Sequence, residues 1–463
     1  MQVGDSGAPR SDYDCFVVGS GPAGVSLALA LAEARKRVLI FESGDEQTVR
    51  TELANTVGYG HYSGAYWNAH WIRTPGGTSN VWAGWCPTPR AFDMDNPAVG
   101  VRWPIDRSAL VPYWMRAAPI LNHEPDYVDF EAPLIPGFNY RPVPTPAPKN
   151  FASYVATLKA SPHIDIALGY SVVGLDADRS RSTVTRLEYL DHRLNVRGQF
   201  ATSPSQSVVL AAGGMGNAQL LMLPRPDGGV PVGNEGGQVG KYLMEHPEFQ
   251  VGGELAIDLE LDRYWPAANK GRGVHAIVAD DETARAHGLY GCSIQCTRKT
   301  TDHPMARFLA AEAGRPFYYY SITPRAEMLP SPANRVFLTG ERDPSGFYRL
   351  AARCVLDARD FMNVELTLRT LGETLISQGK GRVRVNNDRI YKQVWGGGHT
   401  MGTTRMGQGA STSVVDADCR VHGYDNLFVA GSSVFPSGGG SANPTLTIVA
   451  LALRLADRLA AKR

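Results

Sequence analysis

The hexapeptide GSGPAG, carrying Gly19, Gly21 and Gly24, constrains the fold of this chain more than any other feature. It follows an apolar run over residues 13–18 and opens an Ala- and Leu-rich segment over 22–34 that reads as a helix. Residues 38–41 read as a second buried strand, and Glu42 stands at its end, close to the ~20-residue offset at which such a unit places an acid. The pattern is a βαβ unit. Gly19 permits a tight turn, Gly21 lets backbone approach a pyrophosphate, and Gly24 brings helix and strand together. The helix N-terminus would face phosphates with free N–H groups and the positive end of its dipole. Glu42 would accept hydrogen bonds from an adenosine ribose, which argues against NADP.

At 463 residues the chain is longer than one compact core, so two joined domains are expected. The net charge of +1 gives no electrostatic case for DNA or another nucleic acid. Six cysteines in so long a chain do not make a disulfide framework and fit reduced thiols. The N-terminus has no apolar signal region, and no segment reaches the ~18 apolar residues of a membrane helix. A cytoplasmic protein with no membrane partner is the expectation.

Further along, residues 61–89 are dense in glycine and tryptophan and include GGTSNVW, where Gly77, Thr78, Ser79, Asn80 and Trp82 suit backbone packed closely on a planar or phosphorylated group. An ordinary turn is the alternative. The proline-rich run 133–148 reads as an extended connector between lobes. Residues 208–212 read as a strand and 216–223 as a helix. From 251 to 394 short alternating segments (317–322, 335–338) suggest an antiparallel sheet, with a helix at 360–374. The end returns to α/β character, with a strand at 427–430 and a helix at 444–461. The expected fold is an α/β Rossmann-like domain built from 1–95, 160–250 and 395–463. An α+β domain built on an antiparallel sheet, from 96–159 and 251–394, would be inserted into it.

His399 follows three glycines and so lies on no periodic apolar face. Alcohol oxidation needs a base beside the hydroxyl as hydride leaves carbon, and neutral imidazole meets that need. Asn443 precedes Pro444 and a long helix, the arrangement of an N-cap followed by proline. The asparagine either caps that helix or binds a substrate oxygen. Cys292 and Cys296 share a strand face but lack the ligand spacing of zinc, so no metal is expected. Aromatic residues at 317–320 and near Trp67 could stack on a sugar or simply fill the core.

Together these residues resemble the glucose–methanol–choline (GMC) oxidoreductases, and within them the branch of pyranose oxidases and bacterial sugar dehydrogenases. The likeness rests on GSGPAG with Glu42, GGTSNVWAGWC, RWPIDRSALVPYWMRA, VVLAAGGMGNAQLL, HTMGTTRMG and VVDADCRVHGYDNLFVAGSSVFPSGGGSANPTLT. The resemblance implies bound FAD, with His399 as catalytic base and Asn443 as its partner near flavin N5. It also implies backbone contact from Val172 to adenine, and passage of Gly431 and Ser432 along the diphosphate and ribityl chain. A helix starting at Pro444 would point its positive end at the flavin, and Thr445 would contact the cofactor. Covalently flavinylated pyranose oxidases carry histidine where this chain has Val81, so the FAD is expected to be non-covalent. The implied activity is oxidation of a hydroxyl on a sugar, cyclitol or glycoside, such as an aminoglycoside or C-glycoside, with oxygen or another acceptor. The alternatives are a non-redox lyase of the hydroxynitrile lyase type, a non-sugar alcohol such as a sterol, or a flavoprotein without turnover.

Overall fold

The computed structural model describes residues 12–46, 55–145, 147–178, 180, 182–225, 227–265, 273–299, 303–343, 346–440 and 442–462. The N-terminus, read above as lacking an apolar signal region, lies outside these apart from its last residues.

Strand β1 (Cys15–Val18), helix α1 (Pro22–Glu33) and strand β2 (Val38–Glu42) form the βαβ unit read from the sequence. Every residue of β1 and β2 is buried, as strands covered on both faces require. Three more strands join in parallel: β3 (Ile164–Leu168), β4 (Ser207–Leu210) and β5 (Leu427–Val429), in the order β5-β4-β1-β2-β3. The sheet therefore draws on widely separated parts of the chain, with Cys15 paired to both Val38 and Ser207. Helix α2 (Gly213–Met222) follows β4, starting three residues earlier than the sequence suggests because Gly213 and Gly214 form its first turn. Helix α3 (Thr445–Ala460) packs against α1 and against the helix Arg107–Ile120, where Trp114 donates from Nε1 to Thr447 Oγ1 at 3.1 Å.

The second body is a mostly antiparallel sheet. Its main path runs Gly381–Val385, Gly253–Ile257, Tyr318–Ala326, Cys292–Arg298, Gly273–Ala279, Phe138–Tyr140 and Ala132–Ile135. The helix Ala358–Ser377 covers it, its N-terminus held by a capping box between Asp357 and Asp360.

The proline-rich run is not a free connector. Residues Ala132–Ile135, Phe138–Tyr140 and Val143–Pro144 are strands bonded to the second sheet. Proline is tolerated at the ends and edge of a ladder, and here Pro133 and Pro144 sit in just such positions. The aromatics at 317–320 and Trp67 are core: Phe317, Tyr319, Tyr320 and Trp67 are buried. All six cysteines are free and buried. Among the described residues no helix is long and apolar enough to cross a membrane.

Candidate active site

A cavity of about 410 Å³ runs between the two bodies, a size typical of small-molecule sites. At one end it is lined by Gly19, Gly21 and Glu42, and at the other by His399, Asn443 and Thr445. Gly77, Thr78, Ser79, Trp82, Val172, Gly431 and Ser432 lie along it. Of the residues expected at the site, Gly24 and Asn80 are outside the lining. A Cβ on Gly24 would stand 2.0 Å from the Gly19 carbonyl oxygen, so this glycine sets how tightly α1 packs on the turn. Asn80 braces its loop, donating from Nδ2 to the carbonyls of Pro75 (3.0 Å) and Gly77 (2.7 Å).

The glycine end fits FAD. No side chain caps α1 and no acidic residue occupies its first turn, so the first N–H groups and the helix dipole are available to an anion. A Cβ on Gly21 would meet no protein atom within 4 Å, which leaves open space in front of that helix. The Glu42 carboxylate takes hydrogen bonds from Ser20 N (3.0 Å), Ser20 Oγ (2.7 Å) and Gly44 N (2.8 Å). A carboxylate offers about four acceptor positions, so one remains for a ribose hydroxyl.

At the other end the glycines before His399 have a steric purpose. Gly398 has φ of +74°, and a Cβ there would lie 2.4 Å from His70 Cδ2. The backbone at this point is clamped by Glu245, a residue with no sequence signal beyond a charged position in MEHPEF. Glu245 accepts from His399 N at 2.8 Å, His246 N at 2.7 Å and Tyr66 Oη at 2.6 Å. Tyr66 Oη in turn accepts from Gly398 N at 2.8 Å. Burial raises the Glu245 carboxyl above its ordinary range, opposed by those hydrogen bonds.

The His399 ring is held at both nitrogens. Its Nδ1 lies 2.8 Å from Nδ1 of His246, whose Nε2 lies 3.2 Å from the Gly438 carbonyl oxygen. A carbonyl can only accept, so His246 Nε2 carries the proton and its Nδ1 offers a lone pair. His399 must then donate from Nδ1, which leaves the lone pair on Nε2. Asn443 donates to that lone pair from Nδ2 at 3.1 Å, while its Oδ1 accepts from Arg325 Nη1 at 3.4 Å. The network fixes one tautomer and one amide orientation throughout.

Charge agrees with this assignment. Burial, followed by the Arg325 guanidinium, lowers His246 to about 4. Burial lowers His399 well below the ordinary histidine value, with His246, Arg325 and His70 adding to the effect. Both rings are neutral at pH 7, and the His399 Nε2 lone pair, which accepts from Asn443 Nδ2, lies at the cavity. The loop beyond His399 is tied down where Ser432 Oγ donates to the Thr400 carbonyl at 2.7 Å.

Asn443 is not the helix cap. Pro444 occupies that position in a helical conformation, and its carbonyl accepts from Ile448 N at 2.8 Å. Proline needs no N–H partner at a helix start, so the asparagine amide is free to serve His399. His246, Glu245, Tyr66 and Arg325 escape sequence reasoning because only the fold brings them to His399. Among the described residues no group of three His, Cys, Asp or Glu side chains could hold a metal.

Comparison with known proteins agrees with the architecture. Residues 330–452 match the GMC oxidoreductase family, and residues 17–85 match a Rossmann-like NAD(P)-binding domain. The chain is 25% identical to 6'''-hydroxyparomomycin C oxidase of Streptomyces lividus, over 97% of this chain and 92% of that protein. It is 27% identical to paromamine 6'-oxidase of Streptomyces fradiae, over 97% and 91% of the two chains. Pyridoxine 4-oxidase from Mesorbium loti shares the fold, with a TM-score of 0.57 at 18% identity over 96% of this chain and 99% of the other. Residues 330–452 are thus similar to the GMC oxidoreductases, and with the glycine cradle and the histidine pair on the same chain the protein is an FAD-dependent oxidoreductase of alcohol groups.

Proposed function

We propose that the chain oxidises a hydroxyl group of a sugar-like substrate to a carbonyl, with His399 as the base and Asn443 as its partner. The observation that carries this reading is the fixed tautomer, with Gly438 O, His246 and His399 in series and the His399 Nε2 lone pair beside Asn443. FAD, bound along the cavity, supplies the acceptor for the hydride. The residues do the rest. His399 Nε2 takes the hydroxyl proton, and the imidazolium and Asn443 Nδ2 then donate to the developing oxyanion. The uncapped N-terminus of α3, with Thr445 in the cavity lining, adds a positive dipole at this end. The sugar-like substrate class is supported by the names of the two Streptomyces oxidases, which align over nearly the whole chain. A product assay tests it: incubation with a sugar panel in air or with a dye acceptor should yield a product lighter by two hydrogen atoms. Recovery of every sugar unchanged with both acceptors would remove the proposal.

His246 is proposed as a positioning residue. Its replacement by phenylalanine leaves His399 Nδ1–H without an acceptor, so the ring is free to adopt the wrong tautomer or turn away. Flavin reduction should slow by ~10- to 100-fold, less than on removing the base itself. A lost hydrogen bond in the core alone would lower thermal stability without slowing reduction in the protein that remains folded, and that result would reduce His246 to a packing role.

The flavin is proposed to be non-covalent. Val81 lines the cavity and offers no nucleophile at the position where flavinylated pyranose oxidases carry histidine. Acid precipitation is expected to leave the yellow colour in the supernatant. Colour retained by the pellet would contradict this.

A further inference from the structure

The charge around the reacting end of the cavity restricts the substrate further than the family does. Among the described residues, the only carboxylate lining the cavity is Glu42, which belongs to the glycine-turn end. Near His399 the lining charge is the guanidinium of Arg325, 6% exposed. Arg325 lies over the Trp85 ring at 4.8 Å from its centroid, and Trp85 lines the same cavity. The counterion of Arg325 is Glu248, bonded from Nη2 at 2.6 Å, and Glu248 is not part of the lining. The ion pair therefore turns its positive end toward the cavity and keeps its negative end behind. Glu245, the other acid near His399, is likewise outside the lining and receives four hydrogen bonds from Tyr66, His246 and His399.

We propose that Arg325 and Trp85 form a specificity subsite that accepts a ring bearing hydroxyl or ether oxygens beside the reacting carbon and rejects one bearing an ammonium group there. This rests on the sugar-oxidation reading above. A guanidinium only donates hydrogen bonds. Hydroxyl and ether oxygens can accept from it. An ammonium group also only donates, so the two cannot pair. It would also shed water next to a like charge, with no carboxylate to replace its hydration. The preferred substrate is thus a neutral glycoside or polyol. That sets this chain apart from the relatives named for paromomycin and paromamine.

The test is anaerobic single-turnover reduction of the FAD-loaded protein at pH 7 with glucose, 2-amino-2-deoxyglucose, 3-amino-3-deoxyglucose and their N-acetyl derivatives. At least one amino sugar should react ~10- to 100-fold more slowly than glucose, because like charges at a dry site repel, and N-acetylation should recover part of the loss. The paired variant Arg325→Gln/Glu248→Gln, which removes both charges together, should narrow that gap to ~3-fold as the repulsion disappears. Amino sugars that reduce the wild-type flavin as fast as glucose would overturn the subsite while leaving sugar oxidation intact. If no sugar of the set reduces the flavin and simple aliphatic alcohols do, the parent reading fails and takes the subsite with it.

Discussion

Replacing His399 with alanine is expected to slow substrate-driven flavin reduction by ~10²- to 10⁴-fold, the contribution of a positioned general base. Nδ1 is committed to His246 at 2.8 Å, so Nε2 is the nitrogen that faces Asn443 and the cavity with its lone pair. Alanine removes the lone pair and leaves no other base in its place. Because burial and neighbouring positive groups hold the His399 pKa well below the ordinary histidine value, the neutral form prevails through neutral pH. The wild-type rate of flavin reduction should therefore be level across neutral pH and fall only on the acid side, below the usual histidine range, as the ring gains its proton. Stopped-flow reduction across a pH series checks both statements. An alanine variant that reduces its flavin at the wild-type rate would falsify the role given to His399, as would a wild-type rate that declines through neutral pH as the solution is acidified.

The second large effect concerns the cofactor cradle, where two glycines of one turn should respond differently to the same methyl group. Gly24→Ala places a Cβ 2.0 Å from the Gly19 carbonyl oxygen and 3.3 Å from Val17 Cγ1, inside backbone that cannot yield cheaply. Overpacking of this kind costs about 1–3 kcal/mol, so the protein should be less stable whether or not FAD is present. Gly21→Ala meets no protein atom within 4 Å and should leave the stability of the FAD-free protein close to wild type. Its methyl group instead enters the cavity in front of the α1 N-terminus, and FAD should bind at least ~10-fold more weakly, about 1.4 kcal/mol. Thermal melts of FAD-free protein and FAD titrations separate the two. Equal FAD affinity in wild type and Gly21→Ala would mean that the turn does not approach the cofactor.

Local signals carried most of the FAD-binding body. The βαβ unit was legible because an apolar run, a glycine turn and an Ala/Leu helix follow one another within residues 13–42, and each is a short-range pattern. His399 was legible because three glycines remove any packing reason for a histidine there. Asn443 was only half legible: a proline after an asparagine reads as a cap, and nothing local reveals that Pro444 itself takes the cap position. The run 133–148 misled because proline density suggests an extended linker, while its strands are fixed by partners such as Gly273–Ala279, far away in sequence. His246 and Arg325 could not be found at all. They lie 153 residues from His399 and 118 from Asn443, and their meaning is a hydrogen bond that exists only after folding.

The most direct test of the central claim is anaerobic mixing of the FAD-loaded wild-type protein with a neutral pyranoside, read as loss of the visible band of oxidised flavin. The band should bleach in a single turnover and return when air or a dye acceptor is admitted. A flavin that stays oxidised with every sugar, while a hydroxynitrile is cleaved to its carbonyl, would contradict it and make the chain a lyase.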